Sequence, residues 1–475
     1  SSSTCALVAA RTRVRRPPAL LAAAMATPSK PGEGEGAAAV AAAALAERRF
    51  QGSLLYCLRG LTQFGRLAWP PLAVFIARDL NLTQVETGEL LSAFALGYFL
   101  TQVAGGMAAD RLGGKPVQMV TLASLSAAML LGPAVSRSYG VAGLFWLYFL
   151  IGFSAGPSHP ACNASMSDWF PQDEMGLANS MADMFTVGGE LAAAGVAPVL
   201  GSIFGWGPTF VFVGVVASAF TVVWAAFAQS RPGGSAPAAA ASAPRAQDGG
   251  DTSLLQAAGL VLYLPVWAVI VQHMCFNGSK YFFTAWMPMY FDKNFSIGPE
   301  RSAGYLSVEK FAGIGAAYLL RFVERAVLQR EGTSLLSARR LFAGVGFTLN
   351  ALSVLGLAWL CRFRAHPMAP AATSVLLCLN SVGLSAHSFG FKPNYLDITA
   401  RFSGAFMGVG NTCATAMTYI VPLAAAYMVE AAGGDWSGLF ICVAILNVGG
   451  GVVGVCLTST ERLDERLGAT AKKVD

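Results

Sequence analysis

The feature that most constrains this chain is a repetition: a long, predominantly apolar stretch recurs twelve times, near 53–77, 87–109, 116–136, 141–165, 176–200, 207–228, 257–291, 302–323, 338–360, 371–395, 402–430 and 436–458. About 20 apolar residues in a helix cross a hydrocarbon layer roughly 30 Å thick. Lipid offers no water to backbone N–H and C=O groups, so stretches of this length must satisfy those groups internally as helices. Composition points the same way: 55% of residues are hydrophobic, 12% are charged, and the mean hydropathy is +0.54. That excess is too large for a water-soluble core, so lipid is the expected solvent and partner. Fifty-two glycines suit close helix packing.

The punctuation between these stretches divides the chain. Residues 1–52 are rich in Ala, Ser, Pro and Arg, with Arg11, Arg13, Arg15, Arg16 and Lys30 preceding the first acid, Glu33. They read as a disordered tail, compatible with an organelle transit peptide or a cytosolic extension, and Met25 is a candidate internal start. Residues 53–228 form a first six-helix bundle, 229–253 a flexible linker of Pro-Gly-Gly-Ser and Ala/Pro/Ser composition, 254–460 a second six-helix bundle, and 461–475 a tail. With the N-terminus cytosolic, fifteen Lys and Arg fall on the cytosolic side and six on the other, so both termini are expected in the cytosol. The net charge of +6 is thus explained by topology, and no nucleic-acid partner is expected. Nine cysteines stand singly without a CxxC pair, which argues against a metal site or a disulfide framework. Gly152-Phe153-Ser154-Ala155-Gly156 and Gly449–Gly454 fit nucleophile-elbow and dinucleotide patterns, but neither follows a soluble strand, so no enzyme is expected. Asn81-Leu82-Thr83 is an N-glycosylation sequon on the side away from the termini.

The second apolar stretch ends in Gly105-Gly106-Met107-Ala108-Ala109-Asp110-Arg111-Leu112-Gly113-Gly114-Lys115, small residues followed by a charged, glycine-pinned turn. This resembles the signature loop between helices 2 and 3 of the major facilitator superfamily. In the second half, Glu324 and Arg325, followed by Ser337-Ala338-Arg339-Arg340, hold the corresponding place between helices 8 and 9. The resemblance implies an all-α membrane protein of twelve transmembrane helices in two six-helix bundles, with gating roles for Gly105, Asp110, Arg111, Gly114, Lys115, Glu324 and Arg325. Gly97–Gly106, Pro265 through Tyr290, Asn394, Asp397-Ile398, Arg401–Gly404, Asn411-Thr412 and Gly434-Asp435-Trp436 sharpen this. Together they resemble the anion:cation symporter family, the group of plastid phosphate transporters, sialin and vesicular glutamate transporters. That resemblance implies a monomer moving a small organic or inorganic anion with H+ or Na+, and no cofactor beyond the ion gradient.

Ionisable groups inside apolar stretches cost roughly 2.5–3.5 kcal/mol each and mark functional positions. Arg66 falls on a helix-1 arginine of the family pattern, where the resemblance implies contact with the anion; a structural salt bridge is the competing role. Helix 4 departs from the family, with Tyr148 at the place of its membrane arginine and Ala155 at that of its coupling glutamate. Lys280, beside Tyr281, could restore the second positive charge, and His159 or Glu190 could carry the coupling proton. His273 and Asn277 complete the substrate-side candidates, although His273 suits an interhelical hydrogen bond equally well. Asp397 and Arg401, four apart, would form an inner-gate ion pair on a continuous helix. Three functions fit these residues: a coupled anion transporter of the plasma membrane or an organelle such as the plastid envelope, an organophosphate:phosphate exchanger, or a non-transporting receptor on the same scaffold.

Overall fold

The computed structural model of the chain describes residues 33–171, 174–230, 263–399 and 403–463, with backbone alone at 33–41, 103–111, 164 and 403–405. Two compact units divide at Phe50 and Gln51. In the first, helix begins at Glu33, so the tail expected through residue 52 is already ordered there; the Ala-rich run 37–46 has the highest intrinsic helix propensity available.

Among the described residues the regular elements of the second unit are all helices. The first crossing is α1 (Glu33–Leu67) continued by α2 (Trp69–Asp79), the second α3 (Gln84–Leu112). The third and fourth share α4 (Gly114–Ala155) and finish in α5 (Ser158–Trp169). The turn between them is hidden inside α4, at Gly140, whose φ of 59° and ψ of −144° are accessible to glycine and costly for other residues. Then come α6 (Met175–Phe204), α7 (Trp206–Phe227), α8 (Leu264–Phe295), α9 (Pro299–Gln329), α10 (Leu335–Leu360), α11 (Ala369–Phe391) with its short extension α12 (Asn394–Ile398), α13 (Ser403–Ala431) and α14 (Ser437–Cys456). Twelve crossings in two bundles of six result. Residues 231–253 of the expected linker and 464–475 of the expected tail lie outside the described residues.

Among the described residues, seven helical stretches are, by length and composition, apolar enough to cross a membrane. The four crossings outside that set are the first, second, seventh and eighth. Three of them carry ionisable residues along their length, Arg59 and Arg66 in α1, Lys280 in α8, and Glu309 and Lys310 in α9.

Within the first bundle α4 packs on α3 and α7; within the second, α10 packs on α11 and α14. The bundles meet along α3 with α13 and α6 with α9. Gln51 and Leu463 mark one face of the molecule, the terminal face: Gln51 Nε2 donates to the Phe227 carbonyl at 2.9 Å, and Leu463 packs with Val266 and Ile398. At the opposite, far face one buried core straddles both bundles, joining Ala73, Val74 and Leu91 to Phe282, Trp286, Tyr290 and Trp436. Polar contacts reinforce that closure: Arg78 pairs with Asp292, and the Val85 amide donates to Glu430 at 3.1 Å. Among the described residues, the buried apolar clusters nearer the terminal face each stay within one bundle, Leu54 to Ala228 in the first and Val266 to Leu463 in the second. The buried apolar core that joins the two halves thus lies at the far face.

Candidate functional site

Arg66 stands in the last turn of α1, where the helix is interrupted. Pro70 and Pro71 have no N–H, so the carbonyls four residues earlier, on Arg66 and Leu67, lose their helical donors. Tyr148 supplies the missing donor to Arg66, its hydroxyl giving a 2.9 Å hydrogen bond to the Arg66 carbonyl. Tyr148 is itself fixed by stacking on Trp69, ring centroids 4.3 Å apart and planes within 15°. It belongs to the buried core of the first bundle and stands behind Arg66, so the structure gives it a supporting position and no place on the cavity wall.

The Arg66 guanidinium lies over two rings, 4.4 Å from the centroid of Phe94 and 4.8 Å from that of Tyr281. It opens into a cavity of about 90 Å³ between the bundles, lined also by Tyr98, Asn277, Asn411, Thr415 and Thr418. The aromatic faces hold the cation by its charge, and the Tyr281 side chain also shares a hydrogen bond with its N–H fork. No carboxylate pairs with Arg66 among the described residues. A positive fork beside hydroxyls and the amides of Asn277 and Asn411 has the chemistry to hold carboxylate or phosphate oxygens.

Beside this cavity lies a second charged group. Lys280 of α8 reaches Glu190 of α6, Nζ to Oε1 3.6 Å, across the seam between bundles. Glu190 Oε1 also accepts from Gln63 Nε2 at 2.8 Å. Lys280 is 5.7 Å from the Tyr281 centroid, so one tyrosine is shared by both cations. Farther along the seam Lys310 pairs with its neighbour Glu309 at 3.0 Å, and Ser381 of α11 donates to Glu309.

The remaining expected residues scatter. His159 is exposed, its Nδ1 3.3 Å from Asn163 Nδ2. His273 is tied within the second bundle, its Nδ1 3.0 Å from the Tyr395 hydroxyl and its ring against Phe391. Gly114 packs where a methyl would overlap Ser165 and come within 2.8 Å of the Ala161 carbonyl. Lys115 Nζ donates to the Ala225 carbonyl at 3.0 Å, capping the end of α7. The side chains of Gly105, Asp110 and Arg111 lie outside the described residues, as does Arg401. Asp397 pairs instead with Arg339, which holds Asp397 Oδ2 and Glu324 Oε1 at 2.7 Å each and so knits α9, α10 and α12. The continuous helix on which the i,i+4 pair was expected stops short: α12 ends at Ile398 and Thr399 is extended (φ −148°, ψ 122°), while the pair itself involves Arg401, outside the described residues. Arg325 is exposed, and Glu324 is paired with Arg339. Sequence reasoning quoted Arg339 without a role and missed the Arg78–Asp292 pair; polar residues flanking apolar stretches were the available signal.

A family model described as Major Facilitator Superfamily matches residues 53–387. The chain is 27% identical over 401 residues to the chloroplastic ascorbate transporter of Arabidopsis thaliana, covering 82% of this chain and 71% of that protein. It is 28% identical over 401 residues to probable anion transporter 4, chloroplastic, of Oryza sativa subsp. japonica, covering 82% and 65%. Identity to the chloroplastic sodium-dependent phosphate transport protein 1 of Arabidopsis thaliana is 26% over 381 residues, covering 79% and 72%. Among solved structures, a D-xylose-proton symporter superposes with a TM-score of 0.67 at 13% identity, covering 86% of this chain and 98% of that one. A bacterial homologue of the human lysosomal transporter Spinster gives 0.63 at 14% identity, covering 89% and 98%.

Proposed function

The chain belongs to the Major Facilitator Superfamily, whose members are transporters and not enzymes, and from that premise we propose that it carries a small organic or inorganic anion by alternating access, driven by an H+ or Na+ gradient. Arg66 is the observation that carries this reading. Its guanidinium sits between the bundles, in a polar cavity, without a carboxylate partner among the described residues. An unpaired cation at membrane depth costs several kcal/mol, and an anionic cargo is what offsets it. The names of the relatives support the same class, since they are called ascorbate, anion and sodium-dependent phosphate transporters. Three of them are called chloroplastic, which supports an organelle membrane for this chain. Both termini in the cytosol follows from the loop charges.

Alternating access fits the asymmetry of closure. The core that joins the bundles at the far face supports a form in which the cavity is loaded from the terminal side. The anion enters there, binds Arg66 with Asn277 and Tyr281 alongside, and is released at the far face after the bundles rock.

The test is reconstitution in proteoliposomes with labelled phosphate, glutamate, sialic acid, ascorbate and sugar phosphates, with and without H+ and Na+ gradients. At least one anion is expected to move. Arg66→Gln is expected to reduce its uptake by roughly 30- to 150-fold, the equivalent of about 2–3 kcal/mol for a charge-assisted contact. Movement of neutral or cationic solutes alone would overturn the assignment, and binding without flux would make the protein a receptor.

A further inference from the structure

The charges beside Arg66 have a composition that bears on coupling. Two carboxylates, Glu190 and Glu309, and two ammonium groups, Lys280 and Lys310, alternate along the seam where α6, α8 and α9 meet. Glu190 lies 3.6 Å from Lys280, and Glu309 lies 3.0 Å from Lys310. Glu190, Glu309 and Lys310 line one small cavity of about 40 Å³ between the bundles. A water needs roughly 10–15 Å³ by the same measure, so the cavity can hold one beside both carboxylates. The group is balanced as it stands, two negative and two positive.

Lys280 is the member that can leave the balance. It shares Tyr281 with Arg66, so an anion seated on Arg66 lies within reach of the Lys280 ammonium. Glu190 is fixed to the other bundle by Gln63, at 2.8 Å. An anion that draws Lys280 to itself therefore takes it away from Glu190. Two carboxylates then share the one ammonium of Lys310 in a site of low dielectric, where a pair of like charges cannot both stay ionised.

We propose that Glu190, Lys280, Glu309 and Lys310 form the proton-coupling group of this transporter, in which the anion displaces Glu190 from Lys280 and one proton enters on the Glu190–Glu309 carboxylates for each anion bound. This rests on the anion reading above. The proton comes from water on the side that loads the anion; it leaves when the anion departs and Lys280 returns to Glu190, so each cycle moves one anion and one proton together and breaks no covalent bond. The charged and titratable groups facing Glu190 are Lys280 and Tyr281 from α8, Lys310 from α9 and Arg66 from α1, with Lys392 acting from the end of the tenth crossing. Glu309 faces Lys310, Ser381 and the Cys378 thiol of α11. Of these, only Lys280 both touches Glu190 and borders the anion cavity through Tyr281.

Proteoliposomes separate the two parts of the cycle. Counterflow exchanges anion for anion without net proton movement, whereas accumulation driven by a pH gradient requires it. The probe is labelled inorganic phosphate, glutamate or ascorbate, whichever the wild-type protein moves fastest, with a pH-sensitive dye recording protons. In Glu190→Gln, drawing Lys280 to the anion leaves Glu309 matched by Lys310 and no proton is called for. The ratio of gradient-driven accumulation to counterflow is expected to fall at least tenfold, and Glu190→Asp, which keeps the charge, to recover most of it. Glu309→Gln is expected to lower the same ratio, because either carboxylate can be the one left without a cation. Each ratio is internal to one preparation, so a variant that folds in lower yield is still informative. A wild-type ratio in Glu190→Gln would overturn the proposal, as would anion flux in the wild type with no proton signal, and both results leave the anion reading standing. Absence of counterflow for every anion in the wild type would instead remove the anion reading, and this proposal with it.

Discussion

At the scale of single residues, Tyr148 shows how one side chain can be tied to a defect elsewhere in the fold. Pro70 deprives the Arg66 carbonyl of its helical donor, and the Tyr148 hydroxyl replaces it. Tyr148→Phe keeps the ring stacked on Trp69 but leaves a buried carbonyl unsatisfied. We expect a loss of about 1–3 kcal/mol, read as a lower unfolding temperature in detergent, with weakened anion affinity because the backbone of Arg66 is less firmly held. Stability equal to wild type would show that the carbonyl finds another donor. This pairing was not legible in the sequence. Arg66 itself was, because an arginine deep in an apolar stretch is conspicuous without any fold. Its partner 82 residues away depends on how the fourth crossing rotates against the first. The pairing of Lys280 with Glu190 was hidden for the same reason: both residues stood out as charges in apolar surroundings, but only the contact of α6 and α8 across the bundles shows that they neutralise each other.

Between elements, close approach is set by small residues. Where α3 crosses the later part of α4, a methyl added at Gly97 would overlap the Phe149 carbonyl and stand 2.6 Å from the Phe153 nitrogen. A methyl at Gly152 would overlap the Phe94 carbonyl in the same way. Backbone cannot yield as a side-chain tip can, so Gly152→Val must push the helices apart and with them Phe94, on whose ring Arg66 rests. Little monodisperse protein is expected from Gly152→Val in fluorescence-detected size-exclusion chromatography, whereas Gly176→Ala, a position open to solvent, is expected to elute as wild type. At this scale the sequence was most informative, since helix number and the six-plus-six division follow from the length and count of apolar stretches. It misjudged ends. Helix begins at Glu33 well inside the expected tail, and α12 stops at Ile398 within a stretch expected to be continuous helix, because local backbone preference outweighs hydropathy at boundaries.

For the whole molecule, the contacts at the far face hold the two bundles in one arrangement. Arg78 on α2 and Asp292 on α8 belong to different bundles, and the Asp292 side chain is only 6% exposed. Asp292→Asn removes the pair while keeping the volume, and is expected to populate a form open at that face. Spin labels at Arg137→Cys and Lys293→Cys, on exposed far-face positions of the two bundles, report it as a second, longer distance in a cysteine-free background. The double exchange Arg78→Asp with Asp292→Arg is expected to restore the shorter distance. A distribution indifferent to Asp292→Asn would mean that the apolar core alone keeps the face shut.

That core gives the carrier a direction of its own before any gradient is applied. Rings and aliphatic side chains from both halves leave water together at the far face, so on the reading proposed above the empty protein favours the form that turns Arg66 to the terminal side. Apparent affinity is the intrinsic affinity scaled by the fraction of molecules that present the site. An anion arriving from the far side must therefore wait for a scarce conformer, and if about one carrier in ten is so disposed, half-saturation from that side takes about ten times the concentration. The same arginine would then serve as a tight port from one compartment and a loose one from the other, a rectifier made of hydrophobic packing.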